Sequence, residues 1–129
     1  MTFHGVVIFV DDIPGVLDFY QRAFGFEVRS FDEKLQYAEL ESGVTVLAFA
    51  AHELGRMLMP HAYERPENGP AGVEIAFATA DVIGAFARAV AAGAKPIAEP
   101  KRMPWGMMSA YVRSTEGTLV GFGDPTPQE

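Results

Sequence analysis

Two aspartates and two glycines frame this chain. Asp12 follows an apolar run, Phe3 to Val10, and Gly25 ends the periodic stretch behind it. Asp81 follows a second apolar run, Val73 to Thr79, and Gly93 ends its periodic stretch. In the first stretch Ile13, Val16, Leu17, Tyr20 and Phe24 recur at helical spacing, with Asp11-Asp12 as N-cap oxygens and Pro14 in the first turn. In the second, Val82, Phe86, Ala89 and Val90 do the same, with Asp81 as the cap. Strand-like segments follow each helix. In the first half they are Phe26 to Phe31, Leu35 to Leu40 and Val44 to Ala50, the last two joined by a turn at Glu41-Ser42-Gly43. In the second half they are Lys95 to Ala98, Met107 to Arg113 and Thr118 to Phe122. A loop from Pro100 to Gly106 and a hairpin turn at Glu116-Gly117 connect them. Each half reads strand, helix, strand, strand, strand. A repeat of about 69 residues is too long for a solenoid period and points to an internal duplication.

Between the halves, His52 to Ala71 lacks clear periodicity and holds Gly55, Pro60, Pro66, Gly69 and Pro70. Such a run reads as a linker. The expected layout is a single domain: module one at about 1–51, a linker at about 52–71 and module two at about 72–124. The chain has 129 residues and is 49% hydrophobic, enough to build one packed core. It carries a formal charge of −7 and no basic stripe, which argues against nucleic acid; the acidity suits a cationic guest or simply keeps the chain in solution. It has no cysteine, so disulfides, thiolate nucleophiles and cysteine-held metals are excluded. No apolar run reaches the roughly 20 residues that span a bilayer. No basic segment precedes an apolar one at the N-terminus, so the expectation is a cytoplasmic protein with no membrane partner.

Alternation along the strands suggests a cavity. Val6, Ile8 and Val10 share one face of the first strand, opposite Gly5, Val7 and Phe9. In the second half, Ile75 and Phe77 oppose Glu74, Ala76 and Ala78, and Val120 and Phe122 oppose Leu119, Gly121 and Gly123. The bulky faces are expected against the helices. The faces rich in Gly and Ala leave room for a guest or permit close sheet packing.

This order of elements resembles the vicinal oxygen chelate superfamily of glyoxalase I, bleomycin-resistance proteins and extradiol dioxygenases. The carrying residues are Phe9-Val10-Asp11-Asp12-Ile13 with Asp18-Phe19-Tyr20 and Phe24-Gly25-Phe26, then Val73-Glu74-Ile75-Ala76-Phe77 with Asp81 and Ala91-Ala92-Gly93-Ala94. Pro104-Trp105-Gly106, Ala110-Tyr111-Val112-Arg113 and Glu116-Gly117-Thr118-Leu119-Val120 resemble the closing hairpin. The resemblance implies an α+β fold of two βαβββ modules whose sheets curl around a cavity, usually in a homodimer. It also implies, for metal-dependent members, four His, Gln or Glu ligands on the first and fourth strands of each module. In this sequence those positions fall on Gly5, on Leu47 or Ala48, on Glu74 and on Gly121. His4 lies one residue before the first of them and serves only if a bulge re-aims it. One ligand-type residue of four, two with His4, is fewer than the three protein ligands a catalytic metal wants. The expectation is therefore no cofactor, with a divalent metal on a rearranged set including His4 and Glu74 as the alternative.

Glu74 interrupts an apolar strand on the cavity face. It reads as an anchor for a cationic or hydrogen-bonding ligand, as a general base (the one candidate catalytic residue), or as a structural partner for an arginine. Trp105 reads as a stacking platform or as a packing residue of a dimer or hairpin. Phe9, Phe49, Met107 and Tyr111 are candidate lining residues, each equally at home in a core. His52, Glu53, His61 and Glu64 do not have zinc-protease spacing and read as solvated loop residues. Met57-Leu58-Met59 reads as a pocket cover or a contact with a second subunit. The expected function is a metal-free small-molecule binding protein, similar to the bleomycin-resistance branch, taking a cationic or aromatic ligand. The alternatives are a divergent metal-dependent glyoxalase-type lyase or dioxygenase, a metal-free catalyst working through Glu74, and a dimer module kept for protein interaction.

Overall fold

A computed structural model describes residues 1–65 and 72–125. The elements run β1 (Gly5–Val10), α1 (Ile13–Phe24), β2 (Glu27–Asp32), β3 (Tyr37–Glu41), β4 (Val46–Ala51), α2 (His52–Leu58), β5 (Glu74–Ala78), α3 (Val82–Ala91), β6 (Lys95–Arg102), β7 (Met108–Arg113) and β8 (Leu119–Gly123). They build two compact units, one of residues 1–21 and 25–65, the other of 22–24 and 72–125. Each holds a four-stranded mixed sheet, β1-β4-β3-β2 in the first and β5-β8-β7-β6 in the second. The outer pairs β1–β4 and β5–β8 are parallel; the remaining pairs are antiparallel. The fold is α+β with two βαβββ modules, as the repeat implies.

The framing residues act as expected. The Asp12 carboxylate accepts from the Gly15 N–H at 3.1 Å and that of Asp81 from the Gly84 N–H at 2.9 Å, each satisfying a donor that the helix start leaves open. Gly25 (φ +79°) and Gly93 (φ +118°) turn the chain out of α1 and α3 through a left-handed conformation that other residues rarely adopt. Asp12→Ala and Asp81→Ala are each expected to lower stability by about 1 kcal/mol in a urea titration; no change in midpoint would show the caps to be idle.

The first core forms where α1 lies on its sheet. Tyr20 and Phe49 are completely buried, their rings 4.8 Å apart and edge-on. Ile13, Phe19, Ala38 and Leu40 are buried as well. In the second unit Val82 and Ala89 of α3 are buried, as are Ala110, Val112, Val120 and Phe122 of the sheet. Phe24 joins this unit, its ring 5.2 Å from Phe77 and 5.9 Å from Phe122.

Two sequence expectations are corrected. The segment read as a featureless linker opens with a helix, α2, which begins directly behind β4. Its seven residues are too few to display a helical period; residues 66–71 lie outside the described residues. The loop expected from Pro100 is also displaced. Strand β6 runs through both Pro96 and Pro100 to Arg102. It is the edge of its sheet and its pairing with β7 shifts register twice, between Pro96 and Ala98 and between Ala98 and Lys101. An edge with bulges is where a strand tolerates residues that cannot donate.

Candidate functional site

Register assigns the side chains to faces. In the second unit Ala76, Gly121, Tyr111 and Ala98 follow one another across the four strands, and Glu74, Leu119, Arg113 and Lys95 form the next row. These rows lie opposite the buried face of Val112, Val120 and Phe122. Glu74, Ala76, Ala78 and Ala98 are exposed, and Tyr111 is half-buried. Gly121 explains how the site is assembled. A Cβ placed there would stand 2.9 Å from Glu74 Oε2 and 3.0 Å from Tyr111 Cε1. The missing side chain lets a carboxylate and a phenol ring lie together over the strand.

Chemically this gives an anionic oxygen and the edge of an aromatic ring above a floor of Gly and Ala. A cation or hydrogen-bond donor can meet the carboxylate while an apolar group rests on the ring. Glu74 is exposed, so its carboxylate is open to water.

The other candidates are distributed differently. Trp105 is 70% exposed at the tip of the β6–β7 hairpin, where Gly106 N–H donates to Met103 O and Met103 N–H to Met107 O. Four residues of extended chain, about 14 Å, separate Tyr111 from Met107, and Trp105 lies beyond. Glu74 and Tyr111 are brought together; Trp105 and Met107 are not brought to them. Phe49 is completely buried against Tyr20, on the helix side of its sheet. It is a core residue and leaves the set of ligand contacts. Phe9 is half-buried on the opposite face, its ring 5.2 Å from that of Tyr63.

The donor set does not suit the metal of the metal-dependent relatives. The β4 position resolves to Ala48, since it pairs with Val7 on the face of Gly5 and Phe9. Gly5, Ala48 and Gly121 offer no donor atom, and Glu74 offers one carboxylate. A Cβ on Gly5 would stand 2.4 Å from Val46 O and 2.7 Å from Val46 Cβ, so the space for a ligand side chain is already filled. His4 is exposed just ahead of β1, where its carbonyl accepts from the Val46 N–H. Among the described residues, no three His, Cys, Asp or Glu side chains are placed to hold a metal ion.

Two polar clusters in the first unit are not apparent from the sequence. On β3, Tyr37 donates to Glu39 at 2.8 Å, and Arg29 grips Glu41 through Nε at 2.9 Å and Nη2 at 3.0 Å. Burial together with the Glu39 carboxylate pushes the Tyr37 hydroxyl up to about 12. The Arg29 guanidinium holds Glu41 below the ordinary carboxylate value. Their alternation, Tyr37-x-Glu39-x-Glu41, was the available signal. The second cluster joins Asp11, His52, Tyr63 and Arg65. The His52 side chain is only 11% exposed and its Nδ1 is hydrogen-bonded to the Tyr63 hydroxyl, which corrects the expectation of a solvated loop residue. His61, Glu53 and Glu64 are exposed, as are Met57, Leu58 and Met59. No helix among the described residues is long and apolar enough to cross a membrane.

The chain belongs to the Glyoxalase/Bleomycin resistance protein/Dioxygenase superfamily, whose family model matches residues 2–122. Solved structures agree in fold. A glyoxalase/bleomycin resistance protein/dioxygenase family enzyme from Burkholderia phytofirmans PsJN is 26% identical with a TM-score of 0.79, the match covering 96% of this chain and 98% of that one. A glyoxalase-related enzyme from Fulvimarina pelagi is 17% identical with a TM-score of 0.83, over 97% and 88%. A superfamily member from Sphaerobacter thermophilus DSM 20745 is 24% identical with a TM-score of 0.73, over 97% and 98%. No curated protein matches the chain.

Proposed function

We propose that this chain is a metal-free small-molecule binding protein of its superfamily, similar in role to the bleomycin-resistance branch, and that it takes a cationic or aromatic ligand. The observation that carries this is the meeting of Glu74 and Tyr111 over Gly121 on an open sheet face floored by small residues. The net charge of −7 supports a cationic guest by drawing it toward the surface. The loss of donors at Gly5, Ala48 and Gly121 supports a site that works without metal. A homodimer belongs to the same proposal: Met57 and Leu58 expose apolar surface that a second copy would cover. So does a cytoplasmic location.

Calorimetry with planar aromatic cations and their neutral analogues tests the reading. Saturable binding is expected, with Glu74→Gln weakening the cations by about threefold to tenfold while the neutral analogues hold. Absence of binding across the panel would remove the proposal. Metal content by plasma mass spectrometry separates it from the alternative. About one equivalent per chain would return the protein to the metal-dependent lyases and dioxygenases, whereas metal near zero after incubation with Zn, Ni, Mn and Fe(II) leaves the binding reading standing.

A further inference from the structure

Strands β1 and β4 are parallel neighbours, and Val10 pairs with Ala51 at their carboxyl ends. The next residue on each, Asp11 and His52, therefore emerges side by side. The chain then passes through α2 and returns with Tyr63, whose ring meets Phe9 at 5.2 Å and covers Gly55 so closely that a Cβ there would stand 2.6 Å from it. That close approach aims the Tyr63 hydroxyl at His52 Nδ1. On the other side of the imidazole, Nε2 faces Asp11 Oδ1 at 3.9 Å, within electrostatic reach but beyond a hydrogen bond. Arg65 holds Asp11 in place at 2.5 Å.

This order of groups sets the direction of a proton. The Asp11 charge favours the tautomer with its proton on Nε2, leaving Nδ1 as the acceptor for the Tyr63 hydroxyl. Burial and the cations of Arg65 and Arg56 hold His52 below the ordinary imidazole value, against the pull of Asp11, so the ring is neutral near pH 7 with Nδ1 open to accept a proton. Glu53 is engaged by Arg56 at 2.5 Å and lies exposed beside it. A hydroxyl bound to a neutral imidazole, itself backed by a carboxylate, has the components of a base-activated nucleophile.

We propose that Asp11, His52 and Tyr63 form such a site, in which Tyr63 is sulfonylated by small sulfonyl fluorides while His52 takes its proton. With an arylsulfonyl fluoride, Tyr63 Oη forms a bond to sulfur and the sulfur–fluorine bond breaks. Fluoride leaves, the phenolic proton passes to His52 Nδ1, and the imidazolium releases it to water. The other tyrosines supply internal controls. Tyr20 is completely buried, the Tyr37 hydroxyl is committed to a carboxylate, and Tyr111 lies beside the Glu74 carboxylate.

The test is the rate of arylsulfonyl fluoride labelling at each tyrosine, read by peptide mass mapping on the full chain. Tyr63 is expected to react at least about tenfold faster than Tyr111 at pH 7.5, and His52→Gln, which keeps a hydrogen-bonding side chain, to remove that advantage. In the unaltered chain the Tyr63 rate should rise with pH along the deprotonation of an imidazole, with its midpoint below the ordinary histidine value. That profile stands even if the variant fails to fold. Equal labelling of Tyr63 and Tyr111, or a Tyr63 rate with no imidazole step, would show the cluster to be a structural clasp and overturn the proposal.

Discussion

Phe49→Ala is expected to lower the unfolding free energy by about 3–5 kcal/mol. The ring is completely buried and meets Tyr20, also completely buried, at 4.8 Å. Its strand is the second of four, held by β1 on one side and β3 on the other, so the sheet cannot slide inward to fill the space. Denaturant unfolding followed by far-UV circular dichroism measures the loss, which should come from a shift in midpoint at constant slope. A loss under about 1 kcal/mol would mean that the site collapses around the cavity, and the placement of Phe49 in the core would need revision.

The second large effect is expected at Gly5, where alanine should cost about 1–3 kcal/mol through overpacking. The atoms that a Cβ would meet are the carbonyl oxygen and Cβ of Val46, directly across the β1–β4 pair. A backbone oxygen in a paired strand cannot rotate aside as a side-chain tip can. The same contact has a functional corollary. Gly5→His puts an imidazole at the position the resemblance gives for a first metal ligand but is expected to separate the strands rather than build a metal site. Equal stability of Gly5→Ala and the parent chain would show that β1 can shift, and would reopen that position to a ligand.

The candidate site was legible in part. Strand alternation puts Glu74 on the cavity face, and the register of the sheet sets Tyr111 in the next row of that face. Phe49, equally a lining or a core candidate in the sequence, is a buried core residue against Tyr20. Its strand, Val46–Ala51, is apolar at every position, so alternation carries no signal about which side meets the helix. Trp105 and Glu74 both looked like ligand contacts, but the length of β7 between them sets them far apart. His52 reads as a solvated loop residue in the sequence because its partners come from 41 residues before it and 11 after it.

The local grammar belongs to the sequence alone. Aspartate caps, helix-ending glycines, periodic apolar positions and turn residues act within a few neighbours, so two copies of strand, helix and three strands follow from reading along the chain. The subtraction of metal donors at Gly5 and Gly121 also follows from residue identity, once the resemblance names the positions. Tertiary structure decided what depends on which strands become neighbours. Pairing β1 in parallel with β4 brings Asp11 to His52, and pairing β8 with both β5 and β7 brings Glu74 and Tyr111 over Gly121. Contacts of that kind join residues remote in sequence, and only the closed hydrogen-bonded ladders of each sheet specify them.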